Sequence, residues 1–325
     1  MIEDFENADV GVIGAGVIGL TIAVRLVEAG HAVVVVTDKL PRHTTSAAAG
    51  AMLGISGTPP DDPAAHWTDI ATPIFDQLAD DPTSGVHRVH GRVVTNFADQ
   101  APPWAKTLPD FRALPAEEHR GFRSGIGVTL PFADMPTYLG HLHARLTAGG
   151  GRLAIGHVTA LTDLAGGPPL VNATGTGARQ LCSDTALTAV RGVHVIVSNT
   201  VGITEFRMEA VADPAWTNIF PYPSHVVLGG AALPDDGPSD DDTATAILGR
   251  AVIVEPRLAD ATVTGRQVGW RPVRATARVE IDDVAGTPCV HAYGHGGIGV
   301  TVSWGVADDV LHLLGHRAPQ PDRRG

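Results

Sequence analysis

The sequence predicts an α/β fold in two parts, a nucleotide-binding unit and a second domain richer in antiparallel strands. Three observations carry this reading. Residues 9–38 run strand, glycine turn, helix, strand and acid, in the order of a βαβ unit. Residues 186–207 alternate as half-buried β-structure does. A second glycine loop, residues 294–299, opens a helix far from the first, so the C-terminal part is expected to fold back onto the nucleotide-binding unit.

Residues 10–13 are a short apolar run suited to a strand buried on both faces. Gly14, Gly16 and Gly19 follow as G-x-G-x-x-G where strand turns into helix. The first glycine allows a tight turn, the second lets backbone approach a pyrophosphate, and the third lets the helix pack close on the strand. Ile18, Ile22, Leu26 and Ala29 recur at helical spacing, and Gly30 ends the helix. Free N–H groups and the helix dipole at Ala15 to Val17 favour an anion. Residues 32–36 form a second apolar run, and Asp38, 19 residues after Gly19, stands where an acid takes the ribose hydroxyls of an adenosine. A glycine-rich turn with no ligand is the alternative. The register of both strands, helix and acid favours a dinucleotide.

Beyond this unit, Thr44, Thr45 and Ser46 offer hydroxyls and an N-cap for a helix from about Ala47. Residues 56–64 read as a loop, 66–78 as a helix, and 86–97 as a strand pair turning at Gly91. Residues 98–127 carry little signal; 135–148 read as a helix closed by glycines, followed by short strands at 152–155 and 157–161. The run 169–177, PLVNATGTG, reads as a buried strand and a turn whose glycines admit a cofactor. Residues 208–217 read as irregular and 226–229 as a strand. The acidic run 234–242 reads as a solvated loop capping a helix over 243–254. A strand at 290–293 leads into the second glycine loop and a helix over 300–314. The start of that helix can set its dipole against an electron-rich ring.

At 325 residues and 44% hydrophobic, the chain has room for two domains with substantial cores. A net charge of −12 without a basic block argues against nucleic acid or an anionic membrane as partner. Cys182 and Cys289 are the only cysteines and lack metal or redox spacing, which suits a reducing cytoplasm. Residues 1–9 lack the basic and apolar regions of a signal peptide, and no apolar run approaches the ~20 residues of a membrane span. A cytoplasmic protein is expected.

Five stretches together resemble the D-amino-acid oxidase family of FAD enzymes. They are TTSAAAG at 44–50, VNATG at 171–175, VRGVHVIV at 190–197, GWRPVR at 269–274 and VHAYGHGGIGVTVSWGVA at 290–307. They stand in family order across nearly the whole chain. The resemblance implies a doubly wound, Rossmann-like FAD domain from residues 1–55, 140–185 and 268–325. An interleaved α+β substrate domain, built on a large antiparallel sheet, would come from 56–139 and 186–267. FAD contacts are implied at Gly14, Ala15, Gly16, Val17, Ile18 and Gly19, and at Asp38 and Lys39. Thr44, Thr45, Ser46, Ala49 and Gly50 would add to them, as would Val158, Thr174 and Gly175. The C-terminal motif contributes Gly296, Gly297, Gly299, Val300 and Thr301, with Arg271 bordering both flavin and substrate.

The implied reaction takes a D-amino acid. Arg271 would hold its carboxylate by two parallel charged hydrogen bonds, and the Gly297 carbonyl would accept from its amine. With Cα fixed, a hydride passes to flavin N5, O2 is reduced to peroxide, and the imine hydrolyses to a keto acid. Arg274 is expected in a structural ion pair instead. The chain departs from the family pattern at two tyrosines. Asn218 stands in place of the one on the strand, and residues 199–217 contain no lid tyrosine. Asn218 is expected to supply one less rigid hydrogen bond to the carboxylate, Trp216 and Phe206 to be core or wall, and small substrates such as D-alanine to react slowly. His291 and His295 lack a third residue with metal-ligand spacing, so no metal is expected. A sibling amine oxidase acting on glycine, a secondary amine or a biosynthetic intermediate stays open, as do a flavin protein without oxidase activity and a homodimer.

Overall fold

The computed structural model describes residues 5, 7–55, 57–211, 216–234 and 236–315. The chain opens with β1 (Val10–Ile13), α1 (Val17–Glu28) and β2 (Val33–Thr37), then α2 (Pro63–Leu78). Next come β3 (Val86–Thr95), β4 (Arg112–Ala113), β5 (Ser124–Ala133), α3 (Met135–Ala148), β6 (Arg152–Ile155) and β7 (Leu170–Asn172). After the short α4 (Ala178–Leu181) follow β8 (Thr188–Ser198), β9 (Phe206–Ala210), β10 (Thr217–Pro221), β11 (His225–Gly229) and α5 (Asp240–Val254). The chain closes with β12 (Val263–Val284), β13 (Thr287–His295) and α6 (Gly299–Gly315).

All thirteen strands join one sheet, in the order β4-β5-β3-β9-β10-β11-β8-β12-β13-β7-β1-β2-β6. From β13 to β6 the pairings are parallel. The central strands β1 and β2 are buried at every position and almost wholly apolar because both faces are covered. Val33 and Val35 face a core shared with α1, α2, α3 and α6, while Val34 and Val36 face a second core with Leu161 and Cys289. The other half is antiparallel except between β3 and β9. There Val193, Val195 and Val197 of β8 pack beneath α5, leaving the alternate residues Gly192, His194 and Ile196 for the opposite face.

The 22-residue β12 joins the halves. Its first part pairs with β8 and its second with β13, and Val273 is the register point common to both. Arg271 lies two residues before that switch. The helix α2, from a segment expected in the substrate domain, packs in the same core as α1 and α6.

Four expected elements differ. Residues 44–50 form no α-helix but a 3-10 turn, Thr45–Ala48, followed by extended backbone at Ala49. The carbonyls of Ala48 and Gly50 are taken by side chains from the sheet, so a helical ladder has no use of them. Residues 86–95 form one strand rather than a pair. Gly91 is needed not for a turn but for close approach, since a Cβ there would stand 2.2 Å from the Phe206 carbonyl oxygen. Residues 157–161 are not a strand: the chain leaves the sheet after β6, and Leu161 opens a 3-10 turn, Leu161–Leu164, whose first residue is buried in the second core. The segment 208–217, read as irregular, is part strand: the alternation of 186–207 runs on through Phe206–Ala210, where Arg207 pairs with the buried Glu255, and Thr217 opens β10. Among the described residues no helix is long and apolar enough to cross a membrane.

Candidate active site

Five parallel strands end at one edge of the sheet, which is where ligands bind in open α/β sheets. Ile13, Val36, Ala154, Asn172 and His291 stand level there, so the loops after β1, β2, β6, β7 and β13 emerge together. They carry Gly14 to Gly19, Asp38 and Lys39, Val158, Thr174 and Gly175, and Gly296 to Thr301. Gly14 has φ +105°, a left-handed value, and a Cβ there would meet the Ala173 carbonyl at 2.5 Å. At Gly19 a Cβ would stand 1.9 Å from the Gly14 oxygen. Only glycine permits this cradle.

The N-terminus of α1 opens on it. The first N–H of the helical ladder is that of Leu20, which donates to Gly16, and Val17 N–H donates to Ser46 Oγ at 2.9 Å. This brings the hydroxyl of residue 46 to the glycine turn. Thr44 and Thr174 turn their hydroxyls inward, to the Pro41 carbonyl and to Asn172 Oδ1. Asp38 and Lys39 are exposed at the end of β2. A second helix N-terminus, that of α6 at Gly299, follows the 3-10 turn Gly296–Ile298, and α1 and α6 share one core. A glycine cradle, two helix N-termini and an exposed acid after β2 fit a dinucleotide flavin.

The face expected to take the substrate is on the antiparallel half. In register across it stand Met208, Asn218, Gly229, His194 and Gln267. Arg271 reaches over Gly192, where a Cβ would come 2.6 Å from Nη2, and donates from Nη1 to the Ala231 carbonyl at 2.9 Å. Its Cδ lies 3.7 Å from where a Cβ of Gly297 would be, so the two residues are neighbours. Burial pulls its pKa below the usual guanidinium value, and no carboxylate pairs with it among the described residues. Arg274, by contrast, is paired with Asp184 at 3.1 Å. A half-buried cation without a counter-charge is a site for an anion.

The amide of Asn218 is engaged by its neighbours. With its oxygen toward the indole, it accepts from Trp216 Nε1 at 2.9 Å, while its nitrogen faces the Thr217 carbonyl at 3.2 Å. This differs from the direct carboxylate contact expected of it. The Trp216 ring lies 6.0 Å from the Arg271 guanidinium carbon, at the limit of a cation–π contact. Residues 212–215 of the expected lid lie outside the described residues.

Sequence reasoning missed His194 and Tyr222. His194 is 7% exposed and bonds the Ala48 carbonyl, while Tyr222 bonds that of Gly50. One register step beyond His194, Ile196 and Val227 line a cavity of about 430 Å³ shared with Ala47, Ala49 and Gln267. The period-two pattern of VRGVHVIV places residues 192 and 194 on one face, but nothing local marks that face as the site. His291 and His295 are buried and neutral, their pKa values pushed down to about 4 chiefly by burial. His291 meets Asn172 at 3.2 Å and His295 stands edge-on to Trp67. Among the described residues no group of three or more His, Cys, Asp or Glu side chains could hold a metal ion.

A doubly wound flavin-binding domain joined to an antiparallel substrate sheet defines an FAD-dependent oxidoreductase. The chain belongs to the FAD dependent oxidoreductase family DAO, which matches residues 9–313. It is 38% identical over 318 residues to a D-amino-acid oxidase of Streptomyces coelicolor, covering 96% of this chain and 98% of that protein. A D-amino-acid oxidase of Rubrobacter xylanophilus is 37% identical over 310 residues, covering 94% and 95%. The fold is shared with glycine oxidase from Geobacillus kaustophilus at a TM-score of 0.78 and 17% identity, over 98% of this chain and 97% of that one.

Proposed function

We propose that the chain oxidises D-amino acids with FAD, and that Arg271 is the carboxylate anchor. The observation that carries this is a half-buried guanidinium without a carboxylate partner among the described residues, beside Gly297 on a glycine-opened sheet face. The parallel strands with α1, α2, α3 and α6, which share one core, form the FAD part, and the antiparallel strands with α5 the substrate part. The cradle of Gly14, Gly16 and Gly19 takes the pyrophosphate, Asp38 the ribose, and Thr45, Ser46, Ala49 and Gly50 the flavin side. Bound FAD supplies a two-electron acceptor, taking a hydride from the substrate Cα and giving the electrons to O2 as peroxide.

The protein's own work is orientation. Arg271 fixes the carboxylate by two hydrogen bonds, and the Gly297 carbonyl accepts from the amine, so the Cα–H bond has one permitted direction. The neutral amine needs no side-chain base once bound. The imino acid released is hydrolysed by water to a keto acid and ammonia. Trp216 walls the site over Arg271 and is itself held by Asn218. Two free cysteines, one half-buried and one buried, are consistent with a reducing cytoplasm.

The test is a panel of D- and L-amino acids, glycine and secondary amines given to the FAD-loaded protein. Bleaching of the yellow colour without oxygen and peroxide release in air are the readouts. D-amino acids alone should give both. Turnover of carboxylate-free amines at equal efficiency would refute the assignment of Arg271.

A further inference from the structure

Residues 45–50 are expected to carry Thr45, Ser46, Ala49 and Gly50 to the cofactor, yet the segment has little structure of its own. One 3-10 turn is followed by extended backbone. What holds it lies across the molecule. His194 Nδ1 stands 2.7 Å from the Ala48 carbonyl oxygen, and the Tyr222 hydroxyl shares its one proton between the carbonyls of Gly50 at 2.9 Å and Ala133 at 3.0 Å. A carbonyl only accepts, so Nδ1 carries the proton of the neutral imidazole. The ring is wedged between two glycines. A Cβ at Gly229 would come 2.5 Å from its Cδ2, and one at Gly50 would come 3.4 Å from its Cε1. Burial, with Arg271 nearby, holds its pKa down to about 4, so the donor tautomer persists at neutral pH.

We propose that His194 is a positioning residue for FAD, tying the Ala48 carbonyl to β8 so that the cofactor segment stays in register with Arg271 on the same sheet face. Gly192 and His194 share that face, and Arg271 reaches over the first. The tie therefore sets the distance between the flavin segment and the carboxylate anchor. This rests on the FAD reading above.

The geometry demands a donor at one ring nitrogen only, which the two amide side chains distinguish. His194→Asn keeps an N–H near the position of Nδ1. His194→Gln carries its amide out toward Nε2, and His194→Ala removes both. The apoprotein of each is titrated with FAD by fluorescence quenching, the visible band of the bound flavin is recorded, and apoprotein melting is followed separately. The Ala and Gln variants should bind FAD about tenfold more weakly or worse, with a shifted flavin band, because the half-buried Ala48 carbonyl loses its tie to β8 and the segment leaves its register. The Asn variant should bind within about threefold of the unaltered protein on the same arithmetic. Equal affinity in all variants, or losses that follow apoprotein melting rather than donor position, would overturn the proposal while leaving the FAD reading intact. An unaltered protein that takes up no FAD would overturn that reading and this one together.

Discussion

The guanidinium of Arg271 occupies the space that a side chain at Gly192 would fill, with Nη2 only 2.6 Å from the position of such a Cβ. The obstructing group is the far end of a flexible side chain, so Gly192→Ala is expected to fold normally while displacing the anchor. A misplaced anchor disorients the substrate, and a shift of that size lowers kcat/KM by about a hundredfold. Steady-state kinetics beside a melting curve decide it: unchanged kcat/KM with unchanged Tm would show that Arg271 does not set the geometry.

Arg271→Lys keeps the charge and loses the two-pronged geometry. The shorter donor set can reach either a carboxylate or the Ala231 carbonyl, which Nη1 now holds at 2.9 Å. Binding of a carboxylate substrate should weaken by roughly 2–5 kcal/mol. Inhibition by simple carboxylates should weaken in parallel. If KM and inhibition constants both stay put, the anion is held elsewhere.

Gly19→Val should abolish FAD binding with most helix retained. Even the first carbon of the new side chain would stand 1.9 Å from the Gly14 carbonyl oxygen, so the glycine turn proposed to cradle the pyrophosphate must move. Flavin content by absorbance and helix content by circular dichroism are the two measurements. A yellow Gly19→Val protein would remove the cradle from the cofactor site.

The parallel half of the fold was legible in the sequence because its determinants are local. A strand buried on both faces is apolar at every position, and the glycines at 14, 16 and 19 act within six residues of one another. The antiparallel half was read less well because its determinants lie across the sheet. Gly91 looks like a turn until Phe206 is placed against it, and Arg207 on β9 is held by Glu255, a partner remote in sequence. The tie between His194 and Ala48 spans 146 residues. Arg271 was singled out by its motif, but its contacts with Gly192 and Ala231 have no sequence signature.

Acid should destabilise the protein through buried histidines. His194, His291 and His295 each have a pKa pushed down to about 4, against an ordinary value of 6.5. Between these values the unfolded chain binds protons that the native state refuses. Stability is therefore full above about pH 6.5, falls as pH drops toward about 4, and changes no further from these groups below that. Each histidine costs about 1.4 kcal/mol per pH unit within the window. Tm of the apoprotein, measured from pH 7 to 4, should fall steadily. A flat profile would mean that these rings are solvated or already charged.

Asn218 should act through Trp216 rather than on the substrate. Its oxygen accepts from the indole N–H at 2.9 Å, and the indole stands over Arg271. Asn218→Asp keeps an acceptor of the same shape, whereas Asn218→Leu leaves the indole N–H without one, at a cost of about 1–3 kcal/mol if it stays buried. The ring is then expected to loosen, so Trp emission should shift to longer wavelength in the Leu variant and not in the Asp variant. KM for D-amino acids should rise in the Leu variant by about tenfold, with kcat changed less, because the wall that confines the carboxylate is lost before the Cα–H bond is misdirected. Asn218→Tyr supplies a phenol but no acceptor in the same place, so it should restore turnover of small substrates such as D-alanine only where its hydroxyl reaches the carboxylate itself. A direct role for Asn218 predicts the reverse order. The Asp variant, placing a negative charge beside the substrate carboxylate, would then be the most damaged of the three and the indole emission would not move. Kinetics on D-alanine and on a bulky D-amino acid, read beside Trp emission, separate the two outcomes.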